Sequence, residues 1–394
     1  ASRCKLVLSS VVVIGLIASI FYSDYAAVGR NNKPLIGYIT PYKMIDATVK
    51  YVKNTYLYPA LPFTQLDPAP IITRFNPKKH VTVMVLGETA RAQNFSYNGY
   101  GQNTNQFTAN ENMISFSDMH SCGTATAVSV PCMFSRLNHA DFAHRQANAQ
   151  QNVIDIIAAA GADVLWISNN NGSCKGVCAR VPSLQITPDS SNPLCDGEFC
   201  FDEVLLAPLN DKLSNLTHDN TFIILHMIGS HGPTYFKRYP QDKRTFMPDC
   251  PRSDIQNCTD EALINTYDNT IAYTDYVLNE VIASLKQSAV AAELNTSLLY
   301  ISDHGESLGE NGIYLHGLPY SFAPDSQTHV PMLLWADNET TDLDLGCIAQ
   351  AKRTRMSHDN VFDMLLGMMS VTSVSYDQNN DPFASCHLSE IVAQ

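Results

Sequence analysis

The sequence predicts an α/β sandwich, a mainly parallel central sheet flanked by helices. Three observations lead there. Five short apolar runs read as strands buried on both faces: Val81 to Leu86, Val164 to Ile167, Phe222 to Leu225, Leu298 to Ile301 and Met332 to Trp335. Between them lie segments of helical period: Val153 to Ala160 ending at Gly161, the long Glu261 to Leu285, and Asp359 to Met369 capped by Ser357. Alternation of this kind makes neighbouring strands parallel, because each crossover helix returns the chain to the same sheet end. Finally, several of the strand runs end in residues that ligate metals or carry out chemistry, and open α/β sheets hold their ligands at that edge.

The 394 residues suffice for one large domain with extras, or for two. A formal net charge of -13 argues against nucleic acid as a partner, because phosphate backbones are met by basic surfaces. Eleven cysteines are many for a reducing compartment. After Cys4 they fall into neighbouring pairs: Cys122 with Cys132, Cys174 with Cys178, Cys195 with Cys200, and Cys250 with Cys258. Local disulfides explain that pattern better than metal-binding thiolates, since paired CxxC spacing is missing. Cys347 and Cys386 can make a fifth bridge, leaving Cys4 unpaired.

Along the chain, residues 1–24 are expected to form a transmembrane helix. Leu6 to Tyr22 is uncharged and mostly apolar, at the short limit of the roughly 17 to 25 residues that cross a bilayer. Arg3 and Lys5 before it put its start on the cytoplasmic side and everything after it outside. A cleavable signal peptide, with small residues at Ala26 and Ala27, is the competing reading. Residues 25–78 are expected to be interfacial helices and a Pro-rich linker. Lys43, Lys50 and Lys53 lie among Tyr42, Tyr51, Tyr56 and Tyr58, as suits a membrane surface, and Pro59, Pro62, Pro68 and Pro70 break the helix. The main domain is 79–394.

Within it, Val81 to Leu86 runs into Gly87 and Glu88. The Phe222 run continues through His226, expected to be a satisfied core histidine, to Ser230, His231 and Gly232. Leu298 to Ile301 leads to Asp303, His304 and Gly305, a carboxylate beside an imidazole, as suits zinc. The Val164 run leads to Asn169, Asn170, Asn171 and Lys175. Ser121 to Ala127, closed by Cys132, reads as a rigid turn into a helix N-terminus that presents one hydroxyl, with backbone N–H groups that favour phosphate. A threonine hydroxyl is a poor nucleophile unless a base or a metal activates it, and Glu88, Asp303 and His304 are placed to hold such a metal. Read structurally, Thr124 is an N-cap and Thr126 a first-turn residue.

These residues resemble the lipid A phosphoethanolamine transferases that confer polymyxin (colistin) resistance, within the alkaline phosphatase and sulfatase superfamily. The resemblance runs from Tyr25 to the C-terminus. It rests on Gly87-Glu88-Thr89-Ala90-Arg91, the Cys122 to Cys132 block, the stretch from Asn169 to Gly176, His231-Gly232-Pro233, Ser302-Asp303-His304 through Gly312, and His316-Gly317. It implies an alkaline-phosphatase-like fold, with Glu88, Thr126, Asp303 and His304 binding one catalytic zinc and Thr126 as the nucleophile. His231 and His316 would position the phosphate, act as acid or base, or hold a second zinc during turnover. Asn171 and Lys175 would contact the phosphoethanolamine group, and Glu306 would meet its ammonium. The donor would be phosphatidylethanolamine and the acceptor a phosphate of lipid A, reached through a phosphothreonine-type intermediate. The enzyme would be a monomer in the bacterial inner membrane with its catalytic domain in the periplasm. The family carries five transmembrane helices before that domain, and 1–24 would be the last. Rivals are a transferase acting on a core sugar or other glycan, a phosphodiesterase or sulfatase using water, and an anchored pseudoenzyme.

Overall fold

The computed structural model describes residues 2–21, 37–38, 40–58, 61–74, 77–170, 173–337 and 341–387. The chain divides into two compact units, Ala1–Leu61 and Pro62–Gln394.

The first unit holds α1 (Ser2–Ile20) and α2 (Tyr42–Val52), the latter continued by a wider turn over Lys53–Leu57. The expected span is helical through Ile20, whereas Tyr22, Ala26, Ala27 and the stretch 22–36 lie outside the described residues. Among the described residues no helix is long and apolar enough to cross a membrane. On α2, Lys50 pairs with Asp46 one turn back at 2.8 Å, and Tyr42, Met44, Ile45, Val49 and Val52 are exposed.

The second unit is built on eight strands: β1 (His80–Gly87), β2 (Ile114–His120), β3 (Asp163–Ser168), β4 (Ser183–Gln185), β5 (Asn220–His226), β6 (Asn295–Ser302), β7 (His329–Ala336) and β8 (Met356–Ser357). They form one sheet in the order β8-β2-β7-β6-β1-β5-β3-β4. Every neighbouring pair is parallel except those made by β7, which runs against both β2 and β6. The five predicted strands are all present. The three that went unread are β2, which alternates apolar and polar residues, and the two short outer strands β4 and β8. All three lie where the sheet is partly open to solvent, so the continuous apolar signature is missing.

All eight residues of β1 are buried, with alternate side chains entering different cores. Met84 and Leu86 pack with α4 (Val153–Ala159) and α7 (Val361–Met368), and Val81, Val83 and Val85 pack with α5 (Leu206–Ser214) and α6 (Asp260–Ala292). Each such side chain, wholly withdrawn from water, contributes roughly 1.5–3 kcal/mol. Local signals set the helix ends. Asn152 and Asp155 form a capping box on α4, Thr259 accepts the Ala262 N–H to start α6, and Ser357 caps the turn leading into α7. All five expected disulfides are formed, including Cys347 with Cys386.

Candidate active site

The parallel register brings the polar strand ends together. Gly87 pairs with Ser302, so Glu88 and Asp303 leave adjacent strands at the same level. The N-terminus of α3 (Thr126–Met133) completes the group. Gly305 is required by packing: a Cβ there would lie 2.1 Å from the Ser326 carbonyl oxygen. Thr89 adopts φ 60°, rare for a β-branched residue, and is fixed by both carboxylates. Its N–H donates to Asp303 Oδ1 at 3.0 Å and its hydroxyl to Glu88 Oε1 at 2.6 Å.

Glu88, Asp303 and His304 are all buried, and their ligand atoms lie within 4.8 Å of one another. His304 Nδ1 donates to the Gly305 carbonyl at 2.9 Å, which leaves Nε2 facing Glu88 Oε1 at 3.3 Å and Asp303 Oδ2 at 3.5 Å. Thr126 Oγ1 lies 3.0 Å from each Glu88 oxygen and 3.4 Å from His304 Nε2. Two carboxylates, an imidazole nitrogen and a hydroxyl therefore converge with too few hydrogens among them. Asp303 Oδ2 is buried without a hydrogen-bond partner among the described residues.

Titration behaviour reflects that crowding. Burial and the charge of Glu88 push Asp303 up to about 7. Burial would raise Glu88 too, but the hydrogen bond and charge of His304 hold it well below the carboxylate range. Burial would lower His304, yet Asp303 and Glu88 raise it to about 10. Two buried carboxylates facing one point favour a shared cation. The donor set suits zinc, and tetrahedral ligands at zinc bond lengths stand roughly 3.3 to 3.4 Å apart, close to the separations seen here.

Beside this cluster, His316 Nδ1 bonds Glu306 Oε2 at 2.6 Å, and the His316 ring lies 4.3 Å from that of His304 and 5.8 Å from that of His231. His231 is pushed down to about 4 by burial, so it is neutral at pH 7. Glu306 is wholly buried, with Tyr235 O–H on its other oxygen, so its contact with the site runs through His316. Of the two threonines, Thr124 donates its hydroxyl to the Leu318 carbonyl at 2.6 Å, and only Thr126 points its oxygen at the carboxylates.

Comparison with known proteins agrees with this geometry. Residues 80–371 match the Sulfatase family, and residues 1–56 match the family described as phosphoethanolamine transferase EptA/EptB. The chain is 44% identical over 388 residues to phosphoethanolamine transferase EptA of Escherichia coli K12, covering 96% of this chain and 70% of that protein. It is 36% identical to the phosphatidylethanolamine transferase Mcr-1 of Escherichia coli, over 94% of this chain and 69% of that protein. The chain belongs to the phosphoethanolamine transferases. Among solved structures, the integral membrane protein lipooligosaccharide phosphoethanolamine transferase A from Neisseria meningitidis superposes with a TM-score of 0.82 at 39% identity, over 98% of this chain and 73% of that one.

In this transferase Asn171 lies outside the described residues, and Lys175 is half-buried on the following loop with φ 52°. Among the described residues of this stretch, Asn170 reaches the cluster, donating to Glu88 Oε2 at 2.7 Å. Cys122, Cys132 and Asp359 also lie close together, but the two cysteines are bonded to each other and cannot be ligands. His226 is not the satisfied histidine expected. It is wholly buried, and neither ring nitrogen has a partner among the described residues.

Two positioning residues escaped the sequence. His358 donates Nε2–H to the Ser302 carbonyl at 3.1 Å and accepts the Cys122 N–H at 3.1 Å, tying the end of β6 to the threonine turn. Arg238 donates to the His231 carbonyl at 2.8 Å. The Ser357 cap pointed at the neighbourhood of His358, but no local pattern marks Arg238.

Proposed function

We propose that this transferase moves phosphoethanolamine from phosphatidylethanolamine to a phosphate of lipid A through a covalent intermediate on Thr126. The observation that carries the reading is Thr126 Oγ1 at 3.0 Å from both oxygens of a buried carboxylate and 3.4 Å from an imidazole nitrogen. A hydroxyl held by acceptors on that side is poised to lose its proton and present a lone pair outward.

Glu88, Asp303, His304 and Thr126 would hold one zinc ion, which when bound supplies positive charge that favours the threonine alkoxide and the developing phosphoryl charge. Thr126 Oγ attacks phosphorus, the bond from phosphorus to the diacylglycerol oxygen breaks, and phosphoethanolamine stays on Thr126. The Thr126 proton would be released to solvent when the site is loaded, and Glu88, an ionised carboxylate 3.0 Å from Oγ1, keeps that oxygen oriented. His316, anchored through Nδ1 by Glu306, delivers a proton from Nε2 to the departing oxygen, while His231 remains neutral beside it. In the second half a lipid A phosphate oxygen attacks the same phosphorus and Thr126 is released. Val128 and Ser129 donate back to the Ala125 carbonyl, so the N–H groups of Thr126 and Ala127 at the start of α3 are the ones that would favour the transferred phosphate.

The names of two relatives, phosphatidylethanolamine transferase Mcr-1 and lipooligosaccharide phosphoethanolamine transferase A, support a phosphatidylethanolamine donor and a lipid A-bearing acceptor. Five disulfides suit the oxidising periplasm, and the match of residues 1–56 to the EptA/EptB family supports an inner-membrane location. The product carries an added ammonium on an anionic lipid, which weakens its attraction for cationic peptides such as polymyxin. The test is incubation of the zinc-loaded protein with labelled phosphatidylethanolamine, with and without lipid A. Lipid A heavier by one phosphoethanolamine is expected; free phosphoethanolamine at the same rate in both tubes would instead mean a hydrolase.

A further inference from the structure

We propose that the basic patch of Lys352, Arg353 and Arg355, with the cavity that Arg355 lines, holds the phosphate of the acceptor lipid that is not attacked, an inference that rests on the transferase reading above. The chain carries a net charge of -13, yet no acidic residue occurs from Leu345 to His358. Lys352, Arg353 and Arg355 are exposed there, and among the described residues their side chains make no ion pair and no hydrogen bond. Three like charges so close in sequence repel one another, and an anion from outside relieves that repulsion.

Arg355 lines a cavity of about 300 Å³, at the lower end of the roughly 300 to 1,000 Å³ of small-molecule sites. The cavity adjoins the active site, because its walls include Ser121 and Cys122, which open the turn that presents Thr126, together with His120, His139 and Tyr320. Sheet register puts Arg355 there: β8 pairs Ser357 with His120, so Arg355, two residues earlier, leaves on the face that carries Asp118 and His120. The walls are held in place. Tyr320 O–H donates to the Ser121 carbonyl at 2.9 Å, His139 Nδ1–H donates to the Cys122 carbonyl at 2.7 Å, and the two rings lie 4.2 Å apart. The carboxylates nearby are engaged, Asp359 Oδ1 with the His139 backbone N–H at 2.7 Å and Asp118 Oδ1 with His120 Nε2 at 2.8 Å. Arg355 is the charged group left to bind.

Its planar guanidinium can grip a phosphate through two parallel N–H donors. From Cys122 to Thr126 is four residues, at most about 14 Å of extended chain. Lipid A carries a phosphate at each end of a disaccharide. With one phosphate at Thr126, the other lies two sugar rings away, a separation of that order. Phosphatidylethanolamine offers nothing for the patch, since its single phosphate goes to Thr126 and its headgroup ends in a cation.

The test uses the full zinc-loaded chain in detergent, with phosphatidylethanolamine as donor and two acceptors: lipid A, and lipid A bearing the attacked phosphate alone. Its readout is the ratio of kcat/KM for the first acceptor to that for the second. A merely structural role for Arg355 would alter both values alike and leave the ratio unmoved. The proposal expects a ratio of about ten in the native chain that declines with added salt, a ratio near one in Arg355→Gln, and partial recovery in Arg355→Lys. A native ratio of one, or a ratio unchanged by Arg355→Gln, overturns it. Equal loss on both acceptors in Arg355→Gln also overturns it, and assigns the patch to the anionic membrane surface. Equilibrium binding of the same two lipids separates this failure from that of the transferase reading. If the native chain modifies neither acceptor, the transferase reading falls; lipid A bound about tenfold more tightly than its singly phosphorylated form, with the difference lost in Arg355→Gln, would leave the phosphate site standing, and no difference would overturn both.

Discussion

His226 offers a sharp test of the electrostatics beneath the site. It is wholly buried with no partner for either nitrogen among the described residues, and burial lowers it from 6.5 to about 4, although the charge of Glu88 works the other way and that of Lys175 with it. In the unfolded chain the ring takes up a proton near pH 6.5, whereas the folded chain resists until about pH 4. Stability from this residue is therefore complete above pH 6.5 and is lost as the pH falls. The shift corresponds to a loss of about 3 kcal/mol well below pH 4, of which about 2 kcal/mol has gone by pH 5. That is a large part of a typical folding free energy of roughly 5–15 kcal/mol. His226→Phe keeps an aromatic ring against Trp166, whose centroid lies 5.5 Å away, and removes both unpaired nitrogens. Denaturant unfolding of the native chain and the variant at pH 8 and pH 5 is expected to show the variant gaining about 2 kcal/mol relative to the native chain on acidification. His231 and His358, also lowered by burial, are common to both proteins and cancel in the difference. Identical pH slopes would refute the reasoning.

Three further outcomes are expected. Thr126→Ala abolishes transfer with the fold intact, while Thr124→Ala keeps activity and loses about 1 kcal/mol of stability with its hydrogen bond to Leu318, as paired rate and melting measurements would show. Chelation abolishes transfer and zinc restores it; elemental analysis is expected to give about one zinc in the native chain and far less in Asp303→Asn, because removing one ligand charge weakens the site. Among the disulfides, replacing Cys347 and Cys386 by serine, which opens a loop spanning 39 residues, costs about 4 kcal/mol, whereas the same change at Cys174 and Cys178, four residues apart, costs about 2 kcal/mol. Equal losses in unfolding experiments would count against the chain-entropy account.

The legible parts of the fold were those whose physics is local. β1, β5 and β6 are buried on both faces, so their apolar runs are continuous, and a strand ending in Glu88 or in Asp303-His304 announces a ligand edge wherever it lies in the sheet. β2 was illegible because only alternate residues are buried, a pattern its Ser117-Asp118 stretch interrupts. The reversed direction of β7 leaves no trace in its own composition, since Val330 to Ala336 is as apolar as any parallel strand. The site was legible where a motif is contiguous. It was not where a residue acts across the fold, as with His358 and Arg238, which hold Ser302 and His231 by backbone carbonyls. His226 misled for a related reason: an apolar neighbourhood signals burial, but whether a buried ring finds partners depends on strands distant in sequence.

The central claim is that Thr126 becomes covalently loaded, and the intact mass of the protein tests it most directly. Zinc-loaded native chain and Thr126→Ala would be incubated with phosphatidylethanolamine in detergent without acceptor, quenched in acid and weighed. The account predicts one added phosphoethanolamine on the native chain, removed by later addition of lipid A, and none on the variant. An adduct of the same size on Thr126→Ala, or lipid A modified at full rate by that variant, would contradict it.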